Sequence, residues 1–511
     1  MGRLRQWGSF IFGIAAEALC PLIILAIVID LFQVVTWNEY AGRDIQIYAT
    51  IARYWQDGLI PYRDLWDFKP PLILVALRAG YALWGYDAES FHRVVVILTA
   101  LGALTAYVGL RRAGCLLAAP LAALGLMTLV VANPWHVVSP NTELLAAVFG
   151  AAAFGCAAAY QGSHRIRWAA GSGACLALAT LGKQPAVLWV VPVAAQLWLW
   201  DGGDGLWGKA RDVLTRATAL ALGFTLVIGI VVAYFAWHGA AKALYDAVIV
   251  DGSRYAGLGK EPWTSLPWRP TSQLVGQIFR MERMWPFAGA IAVLVPLTIL
   301  RPSRWIAVAW LWLLASYLVV VVGPRYEWHY LMSSFPALAL TVGIVFEQAL
   351  GSGAMRTHAQ AKRRLVGAVL VALFVYGGIW RVYYSSRRDL TGHIGSHALL
   401  GLRIHAAARP GDTLFVKDEP FDLYLYAGMP PMTRFIYQDS PAPGVRQVWA
   451  SALMRQPTFI FISHGTEERM RRVRGGFEFG LAKVLAERYV QWITDPLGIV
   501  YWRRNARQRT G

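Results

Sequence analysis

The chain has 511 residues, of which 57% are hydrophobic and only 15% charged, with a mean hydropathy of +0.43. That balance excludes an ordinary soluble globular protein and fits a polytopic membrane protein. The formal charge of +18 does not indicate nucleic-acid binding, because the basic residues fall where a membrane topology puts them.

Spanning a bilayer takes about 20 apolar residues. Runs of that kind recur at 10–36, 92–110, 114–132, 142–161, 168–182, 185–200, 217–237, 284–300, 305–323, 328–349 and 365–380. The opening "MGRLRQWGSFIFG" resembles a signal peptide, but the apolar run behind it is too long and no small-x-small site ends it. It is read as the first span. Arg3 and Arg5, Arg111 and Arg112, Arg165 and Arg167, then Lys209, Arg211 and Arg216 occupy alternate loops. Arg301 and Arg304, then Arg356, Lys362, Arg363 and Arg364, complete the series. Placing these loops in the cytoplasm satisfies the positive-inside rule. The parity requires 71–86, "PLILVALRAGYALWGY", not to cross; it is short, carries Arg78, and reads as a re-entrant or interfacial helix.

The expected protein is therefore an all-α, multi-pass protein of the inner or plasma membrane, with about 11 transmembrane helices and a cytoplasmic amino terminus. Its outer face receives 37–91, 133–141, 238–283, 324–328 and everything after about 382. All four cysteines (Cys20, Cys115, Cys156, Cys175) lie in the predicted spans, so a disulfide framework is not part of the design.

In the first outer loop, "DIQIYATIARYWQ" (44–56) places Ile45, Tyr48, Ala52 and Trp55 on one helical face and Gln46, Thr50 and Arg53 elsewhere. That is an amphipathic interfacial helix. Beyond residue 382 the apolar runs shorten. "GDTLFVKD" (411–418), "TFIFIS" (458–463) and "GIVYWRR" (498–504) read as strands, with "SALMRQ" and "TEERMRRVRGGFEFGLAKVLAERY" as helical stretches around them. Residues 1–381 thus form the transmembrane domain, and 382–511 a small extracytoplasmic α/β domain.

The sequence holds no G-x-x-x-x-G-K-[ST] phosphate loop, no strand-linked G-x-G-x-x-G and no D-x-D pair, so nucleotide or nucleotide-sugar use has no motif behind it. "GSGAC" (171–175) lies inside an apolar span and suits close helix packing. His393 and His397 have the spacing of two metal ligands on one helix face, but no third ligand accompanies them, and a surface helix is the competing reading.

Asp44, just past the first span, is either a helix N-cap or a general base toward an acceptor hydroxyl. Lys69 precedes Pro70 and Pro71, which hold it extended at the membrane edge. There it would meet a lipid phosphate or simply snorkel toward headgroups. Asp64 and Asp67 either neutralise Arg63 and Lys69 or contribute acids. Glu143 stands at the outer end of a span, where a charge is costly and makes it a functional candidate, an acid simply wetted by the interface being the competing reading. Lys183 and Gln184, in "GKQP", fall on the outer side, where a cation needs an anionic partner. Arg325, His329 and Tyr330, in "PRYEWHY", meet the outer end of another span. Cations for a phosphate and acids for a hydroxyl are the parts of a lipid-phosphate-dependent group transfer.

The run "RDIQIYATIARYWQDGLIPYRDLWDFKPPL" resembles the first outer loop of GT-C glycosyltransferases. The likeness is to the branch of dolichyl-phosphate-mannose–protein mannosyltransferases and lipid A aminoarabinose transferases. The shared pattern is an acid after the first span, an aromatic, an "AR" helix, "G-x-x-P-Y" and "K-P-P-L". "NTELL" (141–145), "KQP" (183–185) and "HY…P" (329–336) follow in the order seen in bacterial members. The resemblance implies transfer of a sugar from a polyprenyl-phosphate donor on the extracytoplasmic face, to a lipid, polysaccharide or protein acceptor. It makes Asp44 the catalytic base and Lys69 the ligand of the donor phosphate. Arg43, Tyr48, Arg53, Lys183, Gln184, Arg325, His329 and Tyr330 join Lys69 as the expected substrate-binding set. Family members commonly carry two adjacent acids at the catalytic position. Here Ile45 follows Asp44, so the second acid is sought in Asp67 or Glu143. Phe68 stands where some relatives carry a metal-binding acid, so no metal or other cofactor is expected. A transporter or lipid flippase, or an inactive GT-C-like envelope assembly protein, are the competing classes. The gathering of ionisable residues at one face argues against transport.

Overall fold

The computed structural model describes residues 18–29, 42–131, 141–198, 205–257, 285–322, 328–350 and 395–507, with isolated positions between 268 and 276. The chain divides into two compact units. One comprises Met1–Val35, Val95–Val231 and Ala256–Asp389; the other gathers Thr36–Val94, Val232–Tyr255 and Leu390–Gly511.

Among the described residues, five helices are long and apolar enough to cross a membrane: Ala88–Arg112, Thr142–Ser163, Gly208–Trp237, Arg304–Val321 and His329–Ala349. Ala18–Ile29, Ala118–Val130 and Phe287–Leu300 are shorter apolar helices. The runs at 168–182 and 185–200 become a helix at Ile166–Gly182, a 3-10 turn at Gln184–Trp189 and a short helix at Val190–Trp198. The run at 365–380 and His393 lie outside the described residues.

Small residues set the closeness of these helices. A Cβ added to Gly109 would lie 1.9 Å from the Gly155 carbonyl oxygen, so the two backbones meet with no side chain between them. Such contacts replace the hydrophobic driving force that lipid cannot supply. The "GSGAC" stretch packs in the same way: Gly173 faces the Leu220 carbonyl, where a Cβ would come to 1.9 Å, and Ser172 Oγ donates to the Ala153 carbonyl at 2.7 Å.

The second unit is α/β. Strands β1 (Leu414–Val416), β2 (Phe459–Ser463), β3 (Tyr489–Asp495) and β4 (Gly498–Arg503) form one sheet in the order β1-β2-β4-β3. β1 and β2 run parallel, with Phe415 opposite Ile460; β4 pairs antiparallel with both β2 and β3. Three of the strands match the runs read from the sequence. β3 was not read from the sequence: no glycine or proline separates "AERY" from "VQWITD", and the expected helical stretch turns extended at its last residue, Tyr489. The expected helical stretches over 466–489 are two helices, His464–Arg472 and Gly476–Arg488, parted at "VRGG", where Gly476 adopts φ +83°.

The first-loop helix, Arg43–Gln56, lies between Gly42 and Gly58, both at positive φ. Its polar face is not left to solvent. Gln46 Oε1 accepts from the Phe421 amide at 3.0 Å, Thr50 Oγ1 donates to the Phe421 carbonyl at 3.1 Å, and Tyr54 Oη donates to the Tyr424 carbonyl at 2.7 Å. These bonds tie the helix to the segment between β1 and β2. The loop behind it does the same: Trp66 bridges Phe435 and its amide donates to the Arg434 carbonyl at 2.6 Å. Residues 71–86 become the helix Leu72–Trp84, 13 residues long, which at 1.5 Å per residue is about 20 Å and too short for the hydrocarbon core.

Candidate functional site

The loop "PYRDLWDFKPP" is folded around the main chain of Lys69. The Asp67 carboxylate accepts from the Lys69 amide at 2.8 Å, and the Tyr62 hydroxyl donates to the Lys69 carbonyl at 2.9 Å. Tyr62 itself sits at φ +69° and is fully buried. Both polar groups of the Lys69 peptide are thereby occupied by side chains of the same loop, and the following prolines remove what freedom is left. The half-buried Lys69 ammonium stands over the rings of Phe68 at 4.9 Å and Tyr255 at 5.5 Å. Those rings pack against each other in a tilted arrangement, with centroids 4.3 Å apart. A cation on aromatic faces keeps its charge available while losing part of its water.

Asp67 is the second fixed group. It is 3% exposed, and the Tyr437 hydroxyl donates to its other oxygen at 3.4 Å. Burial pushes its carboxyl up to about 7, helped by the charge of Asp44 and opposed by the Lys69 amide, the Lys69 charge and Tyr437. Burial, with Asp67 close by, raises the Tyr62 and Tyr437 phenols well above their usual range, so both remain neutral donors.

Asp44 is an exposed residue in the first turn of its helix. The cap position belongs to Gly42, and no side chain makes a cap hydrogen bond. The N-cap reading of Asp44 therefore fails. Its carboxylate is placed at the helix amino end, the side a negative charge prefers, and acts electrostatically on Asp67. Arg43, beside it, lies over the Tyr437 ring at 5.0 Å and pairs with Asp439 at 3.4 Å. Tyr437, which no sequence motif singles out, thus links Arg43 to Asp67 and through it to Lys69, with the Asp44 charge acting on both Tyr437 and Asp67.

Two expected residues of the same helix are engaged otherwise. Tyr48 is 2% exposed. Arg53 pairs with Asp57 at 2.6 Å and stacks on Tyr86 at 4.1 Å.

A separate cluster lies in the first unit. Glu143, in the first turn of Thr142–Ser163 and 1% exposed, binds the Lys183 ammonium at 2.8 Å. That lysine sits 3.6 Å from the centre of the Tyr330 ring, and His329 Nε2 comes within 3.9 Å of the same Glu143 oxygen. The anionic partner expected for Lys183 is therefore Glu143. Gln184 follows at the start of the 3-10 turn. Arg325 lies outside the described residues.

No protein-family model and no curated protein sequence matches the chain. Solved structures do. ArnT from Cupriavidus metallidurans, bound to undecaprenyl phosphate, superposes with a TM-score of 0.61 at 15% identity, over 95% of this chain and 98% of that one. The oligosaccharyltransferase of Archaeoglobus fulgidus, tethered to an acceptor peptide, gives 0.52 at 12% identity, over 96% of this chain and 74% of the other. The archaeal oligosaccharyltransferase AglB from the same organism, with an inhibitory peptide and a dolichol-phosphate, gives 0.50 at 12% identity, over 87% and 69%. At these identities the likeness establishes the fold alone: the polytopic membrane architecture of ArnT, carrying a C-terminal domain with a small sheet.

Proposed function

We propose that the protein is a glycosyltransferase that moves a sugar from a polyprenyl-phosphate donor to an acceptor hydroxyl on the extracytoplasmic face, with inversion. The observation that carries this reading is the clamped Lys69. A lysine whose amide and carbonyl are both held by its own loop, with its ammonium on two rings, is preorganised to meet a phosphate. The fold it shares with ArnT, a protein solved with undecaprenyl phosphate, supports the choice of donor.

In this mechanism the acceptor oxygen attacks the anomeric carbon as Asp44 takes its proton. The bond from that carbon to the phosphate oxygen breaks, and polyprenyl phosphate leaves from the opposite face with its charge met by Lys69. Asp67 acts through Lys69: both its oxygens are already engaged, by the lysine amide and by Tyr437. Glu143 likewise serves by holding Lys183.

The test is turnover by the purified chain in nanodiscs, offered synthetic polyprenyl-phosphate sugars, wild type beside Lys69→Ala. Sugar release in wild type, with loss in Lys69→Ala, is expected. Absence of both phosphate binding and release, with uptake of a labelled solute, would replace the enzyme by a carrier.

A further inference from the structure

The C-terminal domain contains a cleft of about 480 Å³ that no part of the proposed donor chemistry uses. It opens at the carboxyl ends of the parallel strands β1 and β2. Lys417 and Asp418 follow β1 directly, and Ser463 ends β2. Ligands of open α/β sheets bind outside the carboxyl ends of the parallel strands. At its other side the cleft is walled by Arg43, Tyr437 and Asp439. Arg43 is the residue before Asp44, and Tyr437 is the partner of Asp67. The cleft therefore reaches Arg43, one residue before the proposed base.

Its lining specifies a class of ligand. Four carboxylates (Asp418, Glu419, Asp439, Glu478) and three cations (Arg43, Lys417, Arg469) face it. Most are already paired with one another. Lys417 Nζ lies 3.4 Å from Asp418 and 4.0 Å from Glu478; Arg469 lies 3.8 Å from Asp418, whose second oxygen accepts from Ser463 Oγ at 3.1 Å. Arg43 is likewise taken by Asp439. A field so nearly self-neutralised gives an anionic ligand little attraction, while the lone pairs and N–H groups left over at each pair can bond hydroxyls. Phe421 and Tyr437 add aromatic surface. Lys417 is 5% exposed, and the long-chain atoms that usually make such a group mobile are fixed.

We infer that this cleft is the acceptor subsite and that the acceptor is an uncharged, polyhydroxylated glycan. This rests on the proposed glycosyl transfer and adds the acceptor class to it. A glycan seated on the Asp418–Arg469 pair would extend toward Arg43 and present a hydroxyl to Asp44.

The experiment measures equilibrium binding to the full chain in nanodiscs. The probes are neutral mannan, glucan and arabinan hexamers, a uronic-acid hexamer and a serine/threonine-rich peptide. Undecaprenyl phosphate is measured in parallel. The expected result is binding of at least one neutral hexamer, weakened tenfold or more in Asp418→Asn. Arg469→Gln serves as a second variant whose side chain, 60% exposed, makes no demand on the core. Unchanged hexamer affinity in both variants, binding of only the charged hexamer or the peptide, or no neutral hexamer bound at all would overturn the inference. Failure of the wild type to bind undecaprenyl phosphate would instead overturn the reading of the enzyme on which it stands.

Discussion

Replacing Asp67 by asparagine removes a buried charge from the loop that carries Lys69, while keeping an oxygen for the Lys69 amide. The folded carboxyl is pushed up to about 7, whereas an unfolded aspartate titrates near about 3.9. Between those values the folded chain holds a proton that the unfolded chain has lost. Stability contributed by this group therefore falls as pH rises through that window. Between about pH 5.5 and pH 8 the loss amounts to about 2 kcal/mol. Asp67→Asn has no such term. Unfolding followed by SDS titration in mixed micelles should give curves that lie closest at pH 5.5. The gap between them should widen by about 2 kcal/mol on going to pH 8, in favour of the variant. Affinity for undecaprenyl phosphate should weaken above pH 7 in wild type, as an ionised Asp67 offsets Lys69, and stay level in Asp67→Asn. Parallel stability curves across this range would refute the claim that burial raises the Asp67 carboxyl more than its hydrogen bonds and the Lys69 charge lower it.

The Glu143–Lys183 pair, with Glu143 1% exposed, should behave as a buried ion pair. Lys183→Met should cost about 3–5 kcal/mol, and adding Glu143→Leu should restore most of it, measured by a double-mutant cycle of unfolding free energies. Tyr62→Phe deletes the bond to the Lys69 carbonyl and should weaken donor binding by roughly three- to tenfold, a bond being worth about 1 kcal/mol. Its circular dichroism should match wild type. Gly109→Ala drives a methyl toward the Gly155 carbonyl and should destabilise by about 1–3 kcal/mol, read as a lowered thermal midpoint in detergent.

Much of the fold was legible because membrane and strand signals are local. Long apolar runs marked the helices, and "TFIFIS" announced β2 before any geometry. What failed to show was either a boundary without punctuation, as at Tyr489, or a long-range partnership. Asp44 and Lys69 stood out by their placement beside a span end and two prolines. Tyr437 and Tyr255 did not, since they reach the site from 370 and 186 residues beyond the residues they touch (Asp67 and Lys69). The pairing of Glu143 with Lys183 was half visible. A cation on the outer side needed an acid, but spacing alone could not say which. The polar face of the Arg43–Gln56 helix carried the same ambiguity. Gln46 and Thr50 suit water or a protein backbone equally, and the C-terminal segment turned out to supply the backbone.

The central claim is that Asp44 does chemistry while Lys69 holds the donor. One paired measurement on Asp44→Asn tests it: undecaprenyl-phosphate affinity and sugar transfer from a synthetic polyprenyl-phosphate donor, in the same nanodisc preparation. Donor affinity within about twofold of wild type, with transfer reduced by about 10²–10⁴, is the predicted result. Transfer at near wild-type rate would contradict it and remove Asp44 from the role of base.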